Sequence, residues 1–160
     1  MKTTTWKCGI LAAICVSLLI GFSPVPARSV GEKLDICSQV GAAQLKKLYR
    51  KPLYPTATDN GCFWSEKPGG MAFFDINVHK ARRPLREYYN KNLPASVKLE
   101  KINGIGDEGL VNVSEGTLGV VVIRKGKLVL QSAVTFLDIK PGSKKQAILW
   151  DIYRRIVQQL

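Results

Sequence analysis

Histidine is almost absent: among 160 residues there is one, His79. A single imidazole without a free cysteine pair offers no metal-ligand set of known spacing. It also leaves acid–base chemistry without a positioned partner, and no G-x-S-x-G nucleophile elbow occurs. Carboxylates are scarce, 12 against 24 lysines and arginines. The adjacent pair Asp107-Glu108 would point to opposite faces of a strand, which suits a paired-carboxylate hydrolase poorly. Cysteine is limited to four residues. The N-terminal uncharged stretch, Cys8 to Phe22, is about 15 residues long, short of the roughly 20 that a membrane-spanning helix needs. Internal repeats and low-complexity tracts are missing too. These absences argue against an enzyme, a metal protein or a cofactor carrier. A hydrolase remains the alternative of a different class.

What is present first is an export signal. Lys2 and Lys7 precede the apolar stretch, Pro24 and Pro26 close it, and Val25-Pro26-Ala27 places small residues where signal peptidase reads. Residues 1–27 are expected to be a signal peptide, 28–36 a linker and 37–160 a single domain, in the periplasm or outside the cell. An uncleaved anchor is the competing reading. Acylation at Cys15 is disfavoured, because Cys15 follows Ala-Ala-Ile inside the apolar run. Cleavage after Ala27 removes Cys8 and Cys15. Cys37 and Cys62 are left, an even pair in an oxidising compartment, which favours a disulfide between them. Closing a loop of that length is worth about 3.5 kcal/mol in the chain-entropy model. Cleavage leaves 22 basic residues against 12 acidic ones, a formal charge of +10. Such a field suits an acidic protein, anionic lipid or acidic polysaccharide, and the competing reading is that it serves only to keep the protein soluble.

Along the mature chain, Gly41 to Arg50 has helical periodicity, with Leu45, Leu48 and Tyr49 on one face. Cys62 to Glu66 and Met71 to His79 read as strands, and Ala72, Phe74, Ile76 and Val78 alternate onto one face. Trp64 shares a face with Cys62 and is expected in the core. Pro84 suits the start of a helix, with Leu85, Tyr88, Tyr89 and Leu93 as its apolar stripe and Pro94 as its stop. Four strands follow: Val97 to Ile102, Leu110 to Ser114, Thr117 to Arg124 and Lys127 to Leu137. Glu115-Gly116 and Lys125-Gly126 sit where two-residue hairpin turns belong. A last helix runs from Pro141-Gly142 to Leu160. The order predicts an α+β domain, an antiparallel sheet of five to six strands with three helices packed on it.

Two features invite a functional reading. Gly104-Ile105-Gly106-Asp107-Glu108-Gly109 matches G-x-G-x-x-G, but it leads into a strand, whereas a dinucleotide fingerprint must open a helix. Two carboxylates would also repel phosphate. A structural loop is expected, with Asp107 and Glu108 capping backbone N–H groups or pairing with an arginine. Lys80, Arg82, Arg83 and Arg86 form one basic run, and Arg124, Lys125 and Lys127 form a basic hairpin tip. Basic residues interleaved with aromatics can bind single-stranded nucleic acid. Here both Tyr88 and Tyr89 fall on the expected core face, so the charge has no stacking platform and nucleic acid is disfavoured.

The segments Ile36-Cys37-Ser38, Gly61-Cys62-Phe63-Trp64 and Gly104 to Gly109, followed by a strand pair with a Lys-Gly turn, resemble a group of small bacterial envelope proteins and lipoproteins of unknown function, abundant in actinobacteria. The similarity spans about residues 34 to 160. It implies a disulfide between the two motif cysteines and a PsbP-like sandwich, and it implies no catalytic residues. The chain departs from that pattern in lacking a clear lipobox. The combined expectation is a non-enzymatic exported domain that binds an anionic partner. An inhibitor or immunity-type protein blocking an acidic cleft is a variant of that reading, and adhesion to anionic lipid is a further class.

Overall fold

A computed structural model describes residues 34–89 and 97–160. The expected signal peptide, most of the linker, and Leu93 and Pro94 lie outside the described residues.

Among the described residues the sheet has seven strands: β1 (Tyr54–Ala57), β2 (Gly61–Ser65), β3 (Ala72–Lys80), β4 (Val97–Lys101), β5 (Glu108–Ser114), β6 (Thr117–Lys125) and β7 (Leu128–Val134). Their spatial order is β1-β2-β3-β7-β6-β5-β4, with every neighbour antiparallel. The expected α+β class with an antiparallel sheet holds, but the strand count is higher. The strand not foreseen is β1. Its sequence, Tyr-Pro-Thr-Ala, is mostly exposed, so no hydrophobic alternation marks it. Pro55 is tolerated because β1 is an edge strand, where one side of the backbone needs no partner.

The sheet register explains which side chains meet. Cys62, Ile76, Ser132, Val121 and Val111 form one row across five strands, and Trp64, Phe74 and Val134 form another. These rows face the helices. There α1 (Ile36–Gln39), α2 (Ala42–Tyr49) and α3 (Lys144–Val157) supply Ile36, Leu45, Leu48, Leu149, Ile152, Tyr153 and Ile156 to the main core. Trp64 is buried against Phe74, with ring centroids 5.2 Å apart. At the start of α3, Ser143 Oγ accepts the Gln146 N–H while Gln146 Oε1 accepts the Gly142 N–H. This reciprocal capping satisfies donors that a helix start leaves unpaired. The Cys37–Cys62 disulfide ties α1 to β2, with a Cα–Cα distance of 5.2 Å. No helix among the described residues is long and apolar enough to cross a membrane.

The other face of the sheet is covered by the chain leaving β3. Here the expected helix from Pro84 is corrected. Leu85–Tyr88 is a single 3-10 turn, and Tyr89 is already extended. With no α-helical ladder, the 3.6-residue periodicity that put Tyr88 and Tyr89 on one face does not apply. Leu85 and Tyr89 pack on Val122 and Val129 as a second, smaller core. Tyr89 donates its hydroxyl hydrogen to the Leu110 carbonyl over 2.6 Å. The third helical piece is α1, which lies at the expected boundary between linker and domain. The β6–β7 turn is also shifted by one residue: Lys125 pairs with Leu128, so Gly126 and Lys127 form the tip.

Candidate anion-binding cleft

Strand β2 ends before β3 does. Gly61 is the last β2 residue paired with β3, opposite Asn77, and the Val78 N–H then bonds the Asn60 carbonyl. Beyond that point β3 carries His79 and Lys80 alongside β7 alone, and the chain turns into Arg82 and Arg83. A cleft of about 790 Å³ opens there. Its walls are Asn60, Val78, His79, Lys80, Arg82, Arg83, Tyr88, Leu128 and Gln131. Among the described residues, three cations line it and no carboxylate does.

Tyr88 organises the cleft. It was expected in the core, but it is half-buried at the rim. The Arg82 backbone N–H donates to its hydroxyl oxygen over 3.1 Å, which closes the loop from 82 to 88. The Arg83 guanidinium lies over its ring, 4.5 Å from the centroid, within the range of a cation–π contact. The His79 ring lies 5.2 Å away at a 35° tilt. Burial, then the Arg83 and Arg82 charges, push the His79 pKa below its ordinary 6.5, so the imidazole is neutral at pH 7.

The two basic segments meet. Lys80 pairs with Leu128 at the end of the β3–β7 ladder, which places the β6–β7 hairpin tip beside the start of the 80–86 run. The members differ in availability, however. Arg124 forms an ion pair with Glu108, and Lys125 lies 3.2 Å from Asp107. Lys80, Arg82, Arg83, Arg86 and Lys127 have no ion pair among the described residues, and all five are exposed. Arg86 and Lys127 lie outside the cleft walls.

The glycine segment takes the partners of Arg124 and Lys125. The Asp107 carboxylate accepts the Gly126 N–H over 2.6 Å, and the Asp107 N–H donates to the Arg124 carbonyl over 2.8 Å. The Gly126 hydrogen bond and then the Lys125 ammonium hold the Asp107 carboxyl below the usual carboxylate range. Gly104 and Gly106 both have positive φ, +74° and +70°. A Cβ on Gly106 would sit 2.5 Å from the Arg124 carbonyl oxygen. Gly109 pairs with Ile123 in the ladder, and Ile102 fills the space a Cβ there would need. The segment therefore clips a loop onto the basic hairpin. Among the described residues, no group of three or more His, Cys, Asp and Glu is gathered tightly enough to hold a metal ion.

The sequence reading missed Tyr88, Asn60 and Gln131 as cleft residues. The available signal was the crowding of Lys80, Arg82 and Arg83 next to the sole histidine at a strand end. Comparison with family models, with curated proteins and with solved structures finds no match for this chain.

Proposed function

We propose that this protein is a non-enzymatic, exported binding domain whose basic sheet end engages an anionic partner. The observation that carries the reading is a cleft whose described walls carry Lys80, Arg82 and Arg83 and no carboxylate, with the basic β6–β7 hairpin paired beside it at the end of the β3–β7 ladder. A field built from several neighbouring cations attracts anions more strongly than the same charges dispersed. The disulfide supports the export part of the reading, because such bonds persist in oxidising compartments. The resemblance to small envelope proteins, with its PsbP-like sandwich, belongs to the same proposal and rests on the motifs around Cys37, Cys62 and Gly104 to Gly109.

The test is binding to anionic vesicles and to an acidic polymer at low salt, with wild type compared with the triple variant Arg82→Glu, Arg83→Glu, Arg86→Glu. Loss of binding with an unchanged melting temperature supports the reading. Full binding by the triple variant makes this run a solvated face and overturns it.

A further inference from the structure

We propose that the cleft at the end of β3 is a binding site for a phosphate group, held by Lys80, Arg82 and Arg83, with His79 as a hydrogen-bonding neighbour and Tyr88 as the organiser. This rests on the anionic-partner reading and narrows it to one ligand chemistry at one place.

The charge arrangement is the first reason. Lys80, Arg82 and Arg83 fall within four consecutive positions and line the same concave wall. Like charges held this close repel one another, and a compact multivalent anion relieves several of them at once. A phosphate carries close to two charges on a tetrahedral group with three strong acceptor oxygens. A single carboxylate offers half that charge.

Preorganisation is the second reason. Arginine side chains are long and lose rotamer freedom when they bind. Here Arg83 is already placed over the Tyr88 ring, and the backbone of Arg82 is fixed by the Tyr88 hydroxyl. A cation–π contact does not use guanidinium N–H donors, so Arg83 keeps its planar fork for paired hydrogen bonds to an oxyanion. The same contacts speak against a nucleobase. The Tyr88 ring is already engaged by Arg83 and His79, so it is not a free stacking platform.

The third reason is the imidazole. His79 is disfavoured as a cation by burial and by Arg83 and Arg82. A phosphate seated among these groups supplies negative charge and reverses that balance. Anion binding and His79 protonation are therefore coupled, and the coupling is reciprocal.

Because His79 is the only histidine, its imidazole resonances report the site directly. The full chain is titrated with pH in inorganic phosphate, in pyrophosphate, and in chloride or acetate of matched ionic strength. A parallel series uses phosphatidylglycerol vesicles in phosphatidylcholine. The expected result is a saturable rise of the His79 midpoint by about half a pH unit or more with a phosphate ligand, equivalent to roughly three-fold tighter binding when His79 is protonated. Chloride and acetate should leave it unmoved. A rise with inorganic phosphate assigns a soluble phosphate, and a rise with vesicles alone assigns a lipid headgroup. Arg83→Gln and Tyr88→Leu should each abolish the rise, whereas Lys140→Gln, which removes charge at the opposite end of the sheet beside the Leu118–Ile139 bond, should keep it. If Tyr88→Leu does not fold, Arg83→Gln decides. No rise with any phosphate ligand, while vesicles or acidic polymer still bind, overturns the site and leaves the broader reading standing. Absence of both removes both. An equal loss in the Lys140 variant means a diffuse field rather than a site, and also overturns the proposal.

Discussion

The backbone N–H of Ala81 donates to the carbonyl of Lys127 over 2.7 Å, joining the two basic segments at the level of the main chain. Their charges act as one field because of this bond and the Lys80–Leu128 pairing beside it. Neutralising Lys80 or Lys127 to Gln should therefore weaken binding to the same anionic target. At the opposite end of β6, Leu118 donates to the Ile139 carbonyl. Leu118 and Lys125 are separated along one strand by roughly 23 Å, at about 3.3 Å per residue. That is about two Debye lengths at 0.1 M salt, where one is about 10 Å. Lys140→Gln should accordingly leave affinity nearly unchanged, and raising salt to 1 M should remove binding by wild type. Equal effects at Lys140 and Lys127, measured by vesicle sedimentation, would show that only total charge matters.

The two glycines of the clip separate two causes of destabilisation. At Gly104 an added Cβ meets open space, so Gly104→Ala carries only the strain of a positive φ, about 1 kcal/mol. At Gly106 the same strain is joined by the Arg124 carbonyl oxygen at 2.5 Å and Ile123 Cγ2 at 2.6 Å, for a total of roughly 2–4 kcal/mol. Denaturant unfolding should therefore rank Gly106→Ala well below Gly104→Ala. Equal losses would place the effect in the unfolded chain rather than in the hairpin contact.

The parts of this architecture legible in the sequence are those with a strong local period. Phe74, Ile76 and Val78 alternate, and Ile152, Tyr153 and Ile156 repeat at helical spacing, so β3 and α3 are plain. Strand β1 was hidden because an exposed edge strand has no buried face to impose a pattern. The segment after Pro84 was misread because Leu85, Tyr88 and Tyr89 fit a helical stripe. Tertiary packing instead draws Leu85 and Tyr89 onto Val122 and Val129 and leaves Tyr88 at the rim. The cleft depended on that misread turn and on the pairing of β3 with β7, a contact between segments about 50 residues apart. No local signal encodes it. The disulfide was legible because counting cysteines requires no geometry.

The Cys37–Cys62 bond and Trp64 anchor the same corner of the sheet. Mass analysis without reductant should show a two-dalton deficit against the reduced protein. Replacing both cysteines with Ser should cost about 3.5 kcal/mol, a fall in Tm of roughly 13 °C for a domain of this size. Trp64→Ala empties a fully enclosed site beside Cys62 and Phe74 and should cost about 3–5 kcal/mol. An unchanged Tm for Trp64→Ala would contradict its burial.

Asp75 gives a pH dependence with a definite sign. Its carboxylate sits mid-strand in β3 and accepts the Ala133 N–H over 3.2 Å. Burial raises its pKa above the ordinary 3.8, and the Ala133 hydrogen bond only partly opposes the rise. A carboxyl whose folded pKa is raised contributes stability that is fully present below its unfolded value and is lost as pH rises through the folded value. At neutral pH the buried charge is therefore a net burden. Asp75→Asn keeps the shape and an oxygen able to accept from Ala133, but never ionises. The variant should be more stable than wild type at pH 7, and the difference should shrink to nothing near pH 3. Asp107 responds in the opposite direction: its lowered pKa means that its contribution is lost as pH falls. It is common to both proteins and cancels in the difference. Urea unfolding of the pair at several pH values reads the effect directly. A variant less stable than wild type at pH 7 would mean that the charged carboxylate's bond to Ala133 outweighs its desolvation, and the raised pKa would be wrong.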